Sequence, residues 1–148
     1  MNVVTKTPPL AKILVVDDNP IIQRAVYFAL RDHGYQVFMV GDVAAAMKTI
    51  RKEKPDLVFI DLSFPLDSTG VGNVLQDGFF LIDWIRRTPN IGKPPMVILS
   101  ASDPEQYRDR AAAAGIVGCI QKPLDRESLC QLVQSVLGHE KPVDPPPA

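Results

Sequence analysis

Five side chains of this 148-residue chain are of the types that handle phosphate and divalent cations: Asp17, Asp18, Asp61, Ser100 and Lys122. Each alone has an ordinary reading. Asp17–Asp18–Asn19–Pro20 is composed like a turn running into a helix, Asp61 like a loop carboxylate, Ser100 like a helix cap and Lys122 like a solvated amine. Brought together, they ask for more. At ~4 Å each pair of like-charged carboxylates costs on the order of 4 kcal/mol at an effective dielectric near 20. Such a cluster calls for a cation. Hard oxygen ligands with room for water suit Mg²⁺, which keeps several waters and bridges to phosphate. A lysine and a hydroxyl beside that metal complete a phosphoryl site: point charge, hydrogen-bond donor and divalent ion. With no Ser or Cys nucleophile paired to a His, the attacking group is expected to be a carboxylate, through an aspartyl phosphate.

That chemistry needs the five residues on one edge, and the alternation of the chain supplies it. Short runs rich in Val and Ile, bounded by Gly, Pro or Asp, predict strands at Ile13–Val16, Val37–Val40, Leu57–Ile60, Met96–Leu99 and Val117–Ile120. Their near-continuous apolar character suits a parallel sheet covered on both faces. Helices fill the intervals. Asn19–Pro20 opens the first and Gly34 closes it, while Asp42 caps a second that runs through Met47 and Ile50 to Glu53. Asp77 is the expected cap of the third, with Phe80, Leu81, Trp84 and Ile85 on its apolar stripe. Asp103–Pro104 opens the fourth, which Gly115 ends. Asp125 opens the fifth, with Leu129, Leu132, Val133, Val136 and Leu137 inward and Gly138 as its stop. Five strand-then-helix units predict an α/β fold: a doubly wound, five-stranded parallel sheet in three layers, α/β/α, with right-handed crossovers. Ligands of such sheets bind outside the carboxyl ends of the strands. Asp17–Asp18 end the first strand, Asp61 the third, Ser100 the fourth and Lys122–Pro123 the fifth.

Composition narrows the setting. Sixteen basic against 17 acidic residues give a net charge of −1, which makes no electrostatic case for nucleic acid or an anionic membrane. No apolar run approaches the roughly 20 residues that span a bilayer, and Met1 to Leu10 lack the pattern of a secretion signal. Two cysteines, Cys119 and Cys130, make no disulfide framework, so a cytoplasmic location is expected. The globular body is residues 12–138, between an N-terminal extension (1–11) and a proline-rich tail (139–148).

The stretches ILVVDDNP, DLVFIDLSFP, MVILSAS and GCIQKP resemble the receiver domains of bacterial two-component response regulators. The resemblance implies a flavodoxin-like sheet of strand order 2-1-3-4-5, with Asp61 as phospho-acceptor. It implies that Asp18 binds Mg²⁺ directly, that Asp17 acts mainly through a water and that the backbone carbonyl of Ser63 is a further ligand. Ser100 would bond the phosphoryl group, Lys122 would pair with it, and the Lys122–Pro123 bond would be cis. Ser63 and Ser102, two residues beyond the acceptor and the hydroxyl, would tune the access of hydrolytic water. The implied partners are a sensor histidine kinase or histidine phosphotransfer protein upstream and an unnamed protein target downstream, with a homodimer left open. No direct contact with nucleic acid and no turnover of an outside substrate are expected. A phosphatase of the haloacid dehalogenase type is the competing reading, but it wants a second Asp two residues after the nucleophile, where this chain has Ser63. Only ten residues follow Gly138. They are too few for an output domain, so the chain is either a stand-alone receiver or a receiver from a larger protein.

Two features depart from that pattern. Asp77–Gly78 come sixteen and seventeen positions after Asp61, a longer interval than the family uses, and Leu66–Gln76 carries the insertion. Its ordinary reading is a tolerated surface loop; its sharper one is a flap or partner contact beside Asp61. The second departure is Cys119, where the family carries an aromatic ring that swings inward on activation. A cysteine is expected to pack there as a small buried hydrophobe and to leave that face quiet, with Leu66–Gln76 as the mover. His33 and His139 read as solvated helix-end residues.

Overall fold

The computed structural model describes residues 8–62 and 74–138. Five parallel strands, β1 (Lys12–Val16), β2 (Gln36–Val40), β3 (Leu57–Asp61), β4 (Met96–Ser100) and β5 (Gly118–Gln121), lie in the order β2-β1-β3-β4-β5. The pairing is continuous in register, with Val16 opposite Val40 and Ile60, Asp61 opposite Leu99, and Ser100 opposite Gln121. Successive strand residues face opposite ways, and two apolar cores follow from that alternation. Leu14, Val16, Val58, Ile60 and Ile98 pack on one face; Ile13, Val15, Leu57, Phe59, Val97 and Leu99 pack on the other. The flanking helices are α1 (Pro20–Arg31), α2 (Val43–Glu53), α3 (Val74–Arg87), α4 (Arg108–Ala113) and α5 (Arg126–Leu137). Side chains of α2 and α3 close the first core, and those of α1 and α5 the second. Each fully buried aliphatic side chain contributes roughly 1.5–3 kcal/mol, so the inner strands β1, β3 and β4 anchor the sheet.

Helix starts follow the capping residues. Asn19 Oδ1 accepts from the Ile21 amide at 2.9 Å and Pro20 takes the first helical position. Asp42 accepts from the Ala45 amide at 2.7 Å and Asp125 from the Ser128 amide at 3.2 Å. Each leaves fewer orphan donors in the first turn.

Three expectations need correction. The third helix begins at Val74, so Asp77 lies inside it rather than capping it. Val74, Leu75 and Gln76 include no helix breaker, and an acid is tolerated near a helix N-terminus. The apolar stripe of α3 is also phased differently: Leu81, Ile82 and Ile85 are buried while Phe80 and Trp84 are exposed, edge to face at 5.8 Å. Gly78 sets this phase. A methyl group there would lie 2.6 Å from Leu62 Cα and 2.7 Å from the Asp61 carbonyl oxygen, so Gly78 faces the sheet and residues three, four and seven positions on follow it inward. The fourth helix is split into a 3-10 turn at Pro104–Gln106, capped by Asp103, and the short α4, with Tyr107 between them.

Candidate functional site

β1 delivers Asp17 to the carboxyl edge, where its amide donates to the Val40 carbonyl at 3.0 Å. Its Oδ1 accepts from the Asn19 amide at 2.9 Å, which fixes the carboxylate against the start of α1. From α1, the Gln23 side chain reaches back and donates to the carbonyls of Asp17 and Val40. Asp61 closes β3, and the following Leu62 amide donates to Leu99 at 3.2 Å. Ser100 closes β4. The Lys122 amide donates to the Ser100 carbonyl at 2.8 Å, just past the end of β5.

The sheet thus brings all five residues to one edge, and the charges meet there. Carboxylate oxygens of Asp17, Asp18 and Asp61 lie within 4.8 Å of one another. The Lys122 ammonium lies 2.8 Å from Asp17 Oδ2 and 3.4 Å from Asp61 Oδ2. Among the described residues, the buried polar or charged ones are Asp17, Asp61 and Ser100, all three in this cluster. Burying charge is unfavourable unless it is paired, so the chain concentrates that cost here. Burial pushes the Asp17 carboxyl above its ordinary value despite the Lys122 hydrogen bond. Partial burial works against the Lys122 ammonium, but Asp17 and Asp61 outweigh it and raise the net value. Asp18 is exposed and opens the cluster to solvent.

Other expected residues fall around this centre. Ser63 lies outside the described residues, as do 66–73 of the insertion and His139. Ser102 donates its amide to Ser100 Oγ at 3.1 Å. The Lys122–Pro123 peptide is cis. Cys119 is not the buried hydrophobe expected from its type. It is exposed, and Cys130 is the buried thiol. β5 is an edge strand in which Ile120 takes the inward position, and the six-residue α4 is too short to cover the other side. His33 is half-buried, its Nδ1 3.0 Å from the Ala29 carbonyl and 3.6 Å from Cys130 Sγ, because the end of α1 packs on α5. Gln23, Gly78 and Tyr107 were not foreseen. Only Gly78 left a trace, as a glycine following Asp77 at the expected helix start.

The donor set fits a hard cation. Three carboxylates converge, one of them solvent-facing, with no sulfur or imidazole among the group, and all-oxygen ligation with an open side for water is what Mg²⁺ takes.

The family model for the response regulator receiver domain matches residues 13–134. The chain belongs to the response regulator receiver family. Receiver domains are the signalling modules of two-component phosphorelays, and phosphorelay signal transduction is the function class of this one. The receiver is 27% identical to protein PilH of Pseudomonas aeruginosa over 128 residues, which cover 86% of the chain and 98% of that protein. It is 30% identical to the probable transcriptional regulatory protein TcrX of Mycobacterium tuberculosis, covering 84% of the chain but 49% of TcrX, about half its length. In structure the receiver matches the receiver domain of the sensor histidine kinase PA1611 from Pseudomonas aeruginosa, with a TM-score of 0.71 and 27% identity over 86% of this chain and 98% of that one. That receiver carries a magnesium ion coordinated in its active-site cleft.

Proposed function

We propose that this receiver takes a phosphoryl group onto Asp61 from the phosphohistidine of a sensor histidine kinase or histidine phosphotransfer protein. Mg²⁺ would be held by Asp17, Asp18, Asp61 and the backbone carbonyl of Ser63. One observation carries the reading: the buried Asp61 carboxylate stands among two further carboxylates within 4.8 Å and an ammonium at 3.4 Å. A carboxylate so placed is a nucleophile with a built-in counter-charge.

Each residue then has a task. An Asp61 oxygen attacks phosphorus as the nitrogen–phosphorus bond of the donor breaks, and the imidazole leaves. Lys122, already bonded to Asp17 and beside Asp61, pairs with a phosphoryl oxygen as negative charge moves onto Asp61. Ser100 donates its hydroxyl proton to another. When bound, Mg²⁺ offsets the charge of the phosphoryl oxygens. Asp17, buried and fixed by Asn19, holds the lysine in place; Asp18, exposed, would help hold the metal. Ser63 and Ser102, small and polar by type, would shield an aspartyl phosphate poorly, so the receiver would reset by hydrolysing its own aspartyl phosphate rather than turn over an outside substrate. The signalling body is residues 12–138, acting in the cytoplasm through protein contacts rather than on nucleic acid.

Incubation with acetyl phosphate, followed by intact mass, tests this. One phosphoryl group per chain is expected in the presence of Mg²⁺, none after chelation and none in Asp61→Asn. Stoichiometric uptake by Asp61→Asn at the wild-type rate would overturn the assignment.

A further inference from the structure

Among the described residues, the buried side-chain polar atom without a hydrogen-bond partner is the hydroxyl of Tyr107. Tyr107 links the 3-10 turn to α4 and is only 8% exposed. Its ring packs edge-on against Phe79 with centroids 6.4 Å apart, and the Arg110 guanidinium lies 4.1 Å from the centre of the Phe79 ring. The Cys119 thiol and the Ser100 hydroxyl are its polar neighbours, but neither meets it at hydrogen-bonding geometry. Beside it lies a cavity of about 130 Å³ bounded by Leu62, Phe79, Ser102, Gln106, Tyr107 and Arg110. That space runs from the residue after Asp61 to the start of α4.

Buried hydroxyls are almost always satisfied, so an orphan held beside a site residue points to a partner in another state. Ser100 is suited to be that partner. Its Oγ accepts one bond, from the Ser102 amide, and a hydroxyl has a second lone pair and a proton to give. A phosphoryl oxygen recruits the proton. The free lone pair then becomes a better acceptor, because hydrogen bonds in a chain polarise and strengthen one another. The Cys119 sulfur is a weak acceptor by comparison.

We infer that Tyr107 is a positioning residue of the phosphoryl site: its hydroxyl donates to Ser100 Oγ once Ser100 donates to the phosphoryl group. The inference rests on Asp61 being the acceptor. The orphan is satisfied only in the phosphorylated state, so Tyr107 favours that state and the cavity gives its ring room to move. The ring enters from the start of α4, where the family resemblance placed it on β5 at the position of Cys119. The short α4, rather than the β5 face, then registers the modification.

The test is beryllofluoride binding with Mg²⁺ to the full chain and to Tyr107→Phe, Ser100→Ala and the double variant. Tyr107→Phe is expected to melt no lower than wild type, since it loses only an unsatisfied hydroxyl. It should bind beryllofluoride about fivefold more weakly, the worth of one net hydrogen bond. In the Ser100→Ala background the same change should bring no further loss. Unchanged affinity in Tyr107→Phe, or an equal loss on top of Ser100→Ala, overturns the inference. Amide exchange of the wild type gives a reading without substitution: beryllofluoride should protect Tyr107–Ala113, and unchanged exchange there counts against the role. A wild-type chain that takes up no beryllofluoride overturns the acceptor assignment as well, whereas wild-type uptake with an indifferent Tyr107→Phe removes only Tyr107.

Discussion

Lys122 holds together two acids that would otherwise repel. Asp17 is fully buried, and its closest cationic contact is this ammonium at 2.8 Å. Replacing Lys122 with Met leaves a buried carboxylate unpaired, a change that typically costs about 3 kcal/mol. The loss should depend on pH, and its sign follows from proton counting. The Asp17 carboxyl already lies above its ordinary 3.8 because burial outweighs the lysine, so the folded chain binds more protons than the unfolded one above that value. Its contribution to stability is therefore highest below 3.8 and falls as pH rises through the folded value. Without Lys122 the carboxyl rises further and that window widens. Urea unfolding should show a large deficit in Lys122→Met at neutral pH that shrinks towards acid; a deficit of equal size throughout would show that the pairing is not its cause. The five site residues were legible in the sequence because each combines a reactive type with a strand end. Tyr107 and Gln23 were not legible, because their roles depend on which foreign element packs against them. Cys119 was misplaced for a related reason. Residue type gives its volume but not the thin cover over one side of β5.

At the level of elements, α3 rests directly on the chain that carries Asp61. A glycine inside a helix is about 1 kcal/mol less favourable than alanine, so propensity alone makes Gly78→Ala stabilising. The contact geometry says the opposite. The added methyl would meet backbone atoms of Leu62 and Asp61 at 2.6 and 2.7 Å, and neither can step aside without moving the acceptor. Net destabilisation of about 1–3 kcal/mol, with weaker beryllofluoride binding, is expected from denaturation and titration of this variant. A more stable variant that binds normally would mean that α3 does not set the position of Asp61. The start and phase of α3 were the least legible parts of the fold. Apolar spacing allowed Phe80 and Trp84 as well as Leu81 and Ile85 to face inward, and only the close approach at Gly78 decides between them. The caps at Asn19, Asp42 and Asp125 were legible because their interactions are local.

Across the whole molecule, five alternating units were enough to foresee a parallel sheet wound with right-handed crossovers, while its strand order was legible only through the family resemblance of the strand-end motifs. The strands are not equal within it. β1, β3 and β4 each have two neighbours and are almost wholly buried, whereas β2 and β5 each have one and are partly exposed. Opening free energies follow burial and pairing. Native-state amide exchange should therefore be slowest in Val15, Phe59 and Ile98, and faster in β2 and β5. Uniform protection across all five strands would contradict this gradient.

The outermost strand leads directly into the only cation of the described site. The three acids lie at the ends of inner strands, but Lys122 follows β5, which has β4 as its one strand neighbour. Edge strands open more readily than inner ones, so loosening of β5 withdraws the lysine while the acids stay at the ends of their inner strands. What remains is a cluster of acids without its counter-charge, a poorer seat for an incoming phosphoryl group. Under the role proposed for Lys122, a receiver frayed at that edge loses phosphoryl uptake before it loses its fold.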